Sequence, residues 1–214
     1  MPATNVDDPF SPLPPGRHTL TTEQVRNSQR YRLSLAAMQA CRETGYSALT
    51  IGHITSRARV SRRTFYAFYR NKLECVAAAC DFALDELTND VVRPAVGAGT
   101  SWEHTVDLAV AHYLHSLRDN PAATHFVVVE AFEIPQLSSR RRALLDLFVH
   151  SLTAMHDEAR QAGADLPDVP QQMFEILVSG LDDLVRRHVR DKGVDNITEL
   201  APFIERATKA ICQG

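Results

Sequence analysis

Apolar residues recur at three- and four-residue intervals along nearly the whole chain, and no stretch shows the alternation or tight-turn chemistry of a β-hairpin. The pattern predicts an all-α protein. Thr21 and Gln24 form a capping-box pair that opens a helix carrying Leu33, Ala36, Ala37, Ala40 and Cys41 on one stripe, and Gly45 stops it. Thr50 and Ser61 are N-cap residues for two short helices, the first with Ile51, Ile54 and Ala58 inward, the second with Phe65 and Tyr69. Asn71 caps a longer helix that starts at Lys72 and runs to about Val91, after which the Pro- and Gly-bearing stretch 93–100 interrupts the rhythm.

Beyond that break the spacing predicts helices over 101–119, opened by Ser101, and over 137–162, stopped by Gly163. Between them, residues 121–133 are apolar nearly all round. The run Val127-Val128-Val129 would also suit a strand, but Pro121 at a first-turn position favours a buried helix. The last two stripes are the most regular. Phe174, Leu177, Val178, Leu181, Leu184, Val185 and His188 form one; Leu200, Phe203, Ile204, Ala207 and Ile211 form the other, after the turn Asp191-Lys192-Gly193. They predict an antiparallel helix pair that closes the monomer's own core or pairs with a copy as a four-helix bundle.

The short helices around residues 50–72 are separated by about three residues, the geometry of a helix-turn-helix whose second helix enters the major groove. A solvated basic hairpin has the same spacing. Charge changes the picture: residues 21–73 carry ten Lys and Arg against two acids, a balance of +8, whereas residues 74–214 balance at -10. Phosphate neutralisation is local, so a basic block followed by an acidic remainder suits a nucleic-acid reader joined to a partner domain. The net charge of -3 conceals this.

The ordered set Ala36-Ala37, Gly45-Tyr46, Thr50, Ile54, Ala58, Val60-Ser61, Thr64-Phe65-Tyr66, Tyr69 and Lys72 resembles the N-terminal DNA-binding domain of the TetR family of bacterial repressors. The resemblance covers roughly residues 30–75. It departs from the family at Arg63, Tyr69 and Cys41, and at Arg59, where a turn glycine is usual. Glycine would be easier there if φ is positive, so either the turn is not left-handed or it carries strain.

The resemblance implies a three-helix domain over 21–72 and a helical ligand-binding and dimerisation domain over 73–214, with the helix from Lys72 as the lever between them. Arg62, Arg63 and Thr64, following the Ser61 cap, are expected at base edges. Thr50, Tyr66, Phe68 through its backbone, and Lys72 are expected at phosphates. Arg26, Arg30 and Arg32 are further candidate phosphate clamps or a plain solvated face. A ligand pocket is implied in the middle helices, where Trp102, His112, Tyr113, Phe126, Phe148, Met155 and Phe174 combine apolar bulk with a few polar groups. The implied dimer interface uses Leu177, Leu181, Leu184, Val185 and His188 with Leu200, Phe203, Ile204 and Ala207.

Other chemistries lack their residues. There is no nucleophile elbow, P-loop or dinucleotide fingerprint, and no Glu-x-x-His pair for a di-iron bundle, so no enzyme and no cofactor is expected. His104, His112 and His115 have no Cys or acidic partner at ligand spacing, so no metal is expected. Cys41, Cys75, Cys80 and Cys212 show no paired spacing and read as structural thiols in a reducing cytoplasm. Neither a long apolar run nor a signal core occurs, and residues 1–20, with five of the eleven prolines, read as a disordered arm. The expected function is a cytoplasmic, homodimeric regulator that binds a DNA operator and leaves it when an apolar small molecule binds. The alternative is a ligand-independent architectural DNA-binding protein with a C-terminal dimerisation domain.

Overall fold

The structure, a computed structural model, describes residues 21–88 and 101–214; the predicted N-terminal arm and the 93–100 break lie outside them. Within those residues all regular structure is helical: α1 (Thr22–Ala48), α2 (Ile51–Ala58), α3 (Arg62–Tyr66), α4 (Lys72–Thr88), α5 (Trp102–Asp119), α6 (Pro121–His125), α7 (Ser138–Gln161), α8 (Gln171–Lys192) and α9 (Ala201–Gln213). The chain divides into two compact units between Phe82 and Ala83, inside α4.

In the first unit the capping box forms as expected. The Thr21 hydroxyl accepts from the Gln24 N–H at 3.2 Å, and the Gln24 side chain accepts from the Thr21 N–H at 2.8 Å. Gly45, at φ 70° and ψ 157°, breaks the helical path of α1 where the sequence placed the stop. The stripe of Leu33, Ala36, Ala37 and Cys41 is completely buried, and α1 packs on α2 through it. Arg57 reinforces that packing from α2, donating to Gln39 at 3.0 Å and pairing with Glu43, both on α1.

In the second unit α5 packs against α9 and α7 against α8. The predicted helix 121–133 starts at Pro121 but keeps α-helical pitch only to His125; a π-helical turn follows over Phe126–Glu130 and a 3-10 turn over Ala131–Glu133. Three successive β-branched valines weaken the α-helical preference. His125 Nδ1 and Glu130 Oε2, five residues apart and 2.9 Å from one another, bridge the widened turn. The last helix also begins later than its stripe suggested. Leu200 closes a 3-10 turn, Ile197–Leu200, and α9 starts at Ala201 because Pro202 supplies a first-turn residue.

Candidate DNA interface and ligand cavity

The helix-turn-helix is built from its caps inward. Thr50 Oγ1 accepts from the His53 N–H at 3.1 Å, and Ser61 Oγ accepts from the Thr64 N–H at 3.0 Å, so both short helices start on satisfied donors. Ile54, Ala58 and Phe65 have no solvent exposure, and the Phe65 ring lies 5.7 Å from that of Tyr69. With α3 anchored through Phe65, its outer edge presents Ser61, Arg62, Arg63 and Tyr66 to solvent, while Thr64 is half-buried. An added Cβ at Gly52 would lie 3.5 Å from Thr50 Oγ1 and 3.6 Å from Arg62 Nη2, so the Arg62 guanidinium rests against the start of α2.

Arg59 ends α2 at φ 52° and ψ 45°, the only non-glycine residue in the left-handed region among the described residues. The turn is therefore left-handed and strained, by about 1 kcal/mol or more for a side chain of this kind.

Three expected phosphate contacts stand differently. Lys72 turns inward: its ammonium donates to the carbonyls of Tyr46 and Leu49 at 2.9 Å each and of Ser47 at 3.3 Å, and lies 4.5 Å from the centre of the Tyr46 ring. All three of its protons thus serve the chain that leaves α1. The Phe68 backbone N–H donates to Phe65 O at 3.0 Å and is not available to a phosphate; the Phe68 ring instead underlies the Arg26 and Arg30 guanidiniums, at 5.3 and 5.8 Å. Arg32, grouped with those two by sequence, is buried. Its Nε and Nη1 have no partner, and burial followed by the nearby Arg59 charge lowers its pKa.

The cysteines are all buried free thiols. Burial, helped by Cys41, pushes the Cys75 thiol up to about 12, and burial pushes Cys212 up to about 11, so neither is a reactive thiolate at neutral pH.

The second unit contains a partly open cavity of about 160 Å³. Of the residues expected at a ligand, Tyr113, Phe148 and Met155 line it, with the Tyr113 and Phe148 rings edge-to-face at 5.5 Å. The others are elsewhere. Phe174 is completely buried in a neighbouring cluster with Val149, Val178 and Cys212, against which Trp102 packs; Phe126 is buried off the cavity wall; His112 faces solvent. Sequence reading missed the charged end of the cavity, Arg141 and Asp182. They are 41 residues apart and no local spacing connects them.

The residues expected between two copies also divide. Leu177, Val185, His188, Leu200 and Ile204 are buried within the single chain, because the α8 and α9 stripes face α5, α7 and each other. Leu181, Leu184 and Ala207 are half-buried, and Phe203 stands 67% exposed. Ile176, 66% exposed, and Met173, 38% exposed, join Phe203 as large apolar side chains in solvent. The signal for Met173 and Ile176 was present as a second apolar edge on α8, overshadowed by the stronger inward stripe.

Residues 35–79, from the middle of α1 into α4, match the family model for bacterial regulatory proteins of the tetR family. Over that segment the chain is similar to the TetR family. Solved structures share its fold: a TetR transcription regulator from Haloarcula marismortui covers 87% of this chain and 100% of its own at 21% identity and a TM-score of 0.70. GusR from Salmonella enterica covers 92% and 100% at 19% identity and 0.70, and the fatty acid degradation regulator FadR from Bacillus halodurans covers 84% and 94% at 18% identity and 0.71. No curated protein matches the sequence. Residues 35–79 are thus similar to the domain of a family of bacterial regulators, and the solved structures that share the fold include transcription regulators. Among the described residues no helix is long and apolar enough to cross a membrane.

Proposed function

We propose that the protein is a cytoplasmic, homodimeric repressor that holds a DNA operator through residues 50–72 and releases it when a small, largely apolar molecule enters the cavity of the second unit. The observation that carries this reading is the outer edge of α3: two arginines and a tyrosine in solvent, on a five-residue helix fastened from behind by buried Phe65. Such an edge fits a major groove.

In this reading Arg62, Arg63 and Thr64 address base edges, and Thr50 and Tyr66 address the backbone. Arg26 and Arg30, stacked on Phe68, supply phosphate contacts in place of Lys72 and the Phe68 backbone. Lys72 supports the interface from within. The dimer forms on the outer edges of α8 and α9, where Ile176, Met173 and Phe203 lie exposed. Release is a population shift: the ligand favours a dimer state with weaker operator affinity, by its differential affinity for that state.

The test is binding of the purified protein to random duplexes at two salt concentrations, with sequencing of the bound fraction. A palindromic motif is the expected result. Salt-sensitive binding without a motif would replace this reading with the architectural one, and absence of binding would remove the α3 assignment.

A further inference from the structure

Arg141 and Asp182 are the only charged residues lining the cavity among the described residues; the rest of its wall is apolar apart from Tyr113 and three hydroxyl side chains. Arg141 on α7 pairs with Asp182 on α8. Asp182 has a second arginine in reach, Arg186, one turn further along its own helix, with Arg186 Nη1 3.5 Å from Asp182 Oδ2. Arg186 also pairs with Asp183, which Arg187 holds from the other side at 2.9 Å. The half-exposed Phe132 ring underlies both guanidiniums that meet at Asp182, Arg141 at 4.4 Å and Arg186 at 4.1 Å.

This cluster holds three arginines and two aspartates, with Arg187 out in solvent and with Arg141 and Arg186 sharing Asp182. That sharing lets Arg141 change partners. If an anion from the cavity takes Arg141, Asp182 keeps Arg186 and no buried charge is left alone; leaving one alone is the costly outcome in a poorly solvated site. A cation pairing with Asp182 would instead add a further positive charge beside three arginines. An uncharged head would leave Arg141 with Asp182 and gain no ion pair of its own.

We infer that the cavity takes a compact apolar molecule ending in a single carboxylate or equivalent monoanionic head, with Arg141 as its counter-ion. The inference rests on the cavity being the ligand site proposed above. The apolar wall holds the body, and a volume of about 160 Å³ is close to that of apolar cavities, about 150 Å³, that hold a benzene-sized guest. Burial already holds the Asp182 carboxyl above its usual range in spite of the two arginines, consistent with a carboxylate that yields Arg141 readily. Binding then exchanges an ion pair between α7 and α8 for one between α7 and the ligand, and loosens that tie.

Calorimetric titration of the full-length protein with hexanoate, hexylamine and hexanol tests this, since the three share a chain and differ in the charge of the head; acetate controls for the head alone. Hexanoate should bind at least about tenfold more tightly than hexanol or hexylamine, with acetate weaker still. Arg141→Gln should bring hexanoate down to the hexanol level. Asp182→Asn removes the competing carboxylate and should tighten hexanoate severalfold, a gain that a misfolded variant cannot mimic. If hexanol or hexylamine binds as tightly as hexanoate, or if Asp182→Asn weakens hexanoate, the anionic head is wrong while the cavity stands as a ligand site. Acetate equal to hexanoate likewise overturns the inference, because the apolar wall would then contribute nothing. If none of the three six-carbon compounds binds, the cavity reading and the inference fall together.

Discussion

The two units place their candidate sites in opposite ways. In the first, the residues proposed to read base edges are contiguous, Arg62, Arg63 and Thr64, on a short helix whose buried Phe65 anchors it from behind. In the second, the cavity wall gathers side chains from α4, α5, α7, α8, α9 and the π-helical turn, and its charged end joins residues 41 positions apart. A surface reader is thus encoded locally, by caps, one anchor and a polar edge. A cavity is encoded by what several helices leave unfilled, so each of its residues looks like ordinary core until the helices are assembled.

Substitutions can break this contrast, and the largest effect should come from the anchor. Phe65→Ala removes a fully buried ring and should cost about 3–5 kcal/mol, melting the first unit and abolishing DNA binding. Because the units have separate cores, ligand binding to the second should survive. Loss of both functions together, in calorimetry and DNA-binding assays, would show the contrast to be false.

Lys72→Met comes next. It strips charged hydrogen bonds from three carbonyls and should cost roughly 2 kcal/mol of stability, without flattening the salt dependence of DNA binding. A flatter slope with unchanged stability would return Lys72 to a phosphate. Arg63→Ala should do the reverse: thermal stability unchanged, and about 1–3 kcal/mol of base discrimination lost at one operator position, read by competition between single-base variants of the selected site. Equal weakening across all sequences would move Arg63 to the backbone.

Smaller effects concern strain and thiols. Arg59→Gly places the residue suited to positive φ at the turn and removes a positive charge near buried Arg32. Chemical denaturation should show a gain of about 1 kcal/mol. The Cys75 thiol should resist a thiol reagent at pH 8 in the native protein and react once urea unfolds it. Its folded pKa, about 12, lies above the ordinary 9.0, so the stability it contributes is complete below pH 9 and declines as the pH rises from there towards 12. Melting temperatures measured across that range should fall with pH.

Much of the first unit is legible in the sequence alone. The capping box at Thr21, the break at Gly45, the caps at Thr50 and Ser61 and the buried stripe of α1 are decided by residues within four positions of one another. The sequence even posed the question at Arg59, where the missing glycine allowed either a right-handed turn or a strained one. What it could not decide was the direction of long side chains. Lys72 finds carbonyls 23 to 26 residues away, and Arg26 and Arg30 find the Phe68 ring, because packing brings α1 beside those groups.

In the second unit the sequence determined that the chain is helical, roughly where each helix lies and which face carries apolar residues. Helical period and caps are local properties, and hydrophobic burial needs only a face. The tertiary structure alone decided which apolar residues fill the core, as Phe126 and Phe174 do, which line a cavity, as Tyr113, Phe148 and Met155 do, and which remain outside, as Ile176 and Phe203 do. It also decided the pairing of Arg141 with Asp182. Burial is an average over many neighbours, whereas an empty volume or a cross-helix ion pair depends on the distances between particular side chains, and those exist only once the helices have packed.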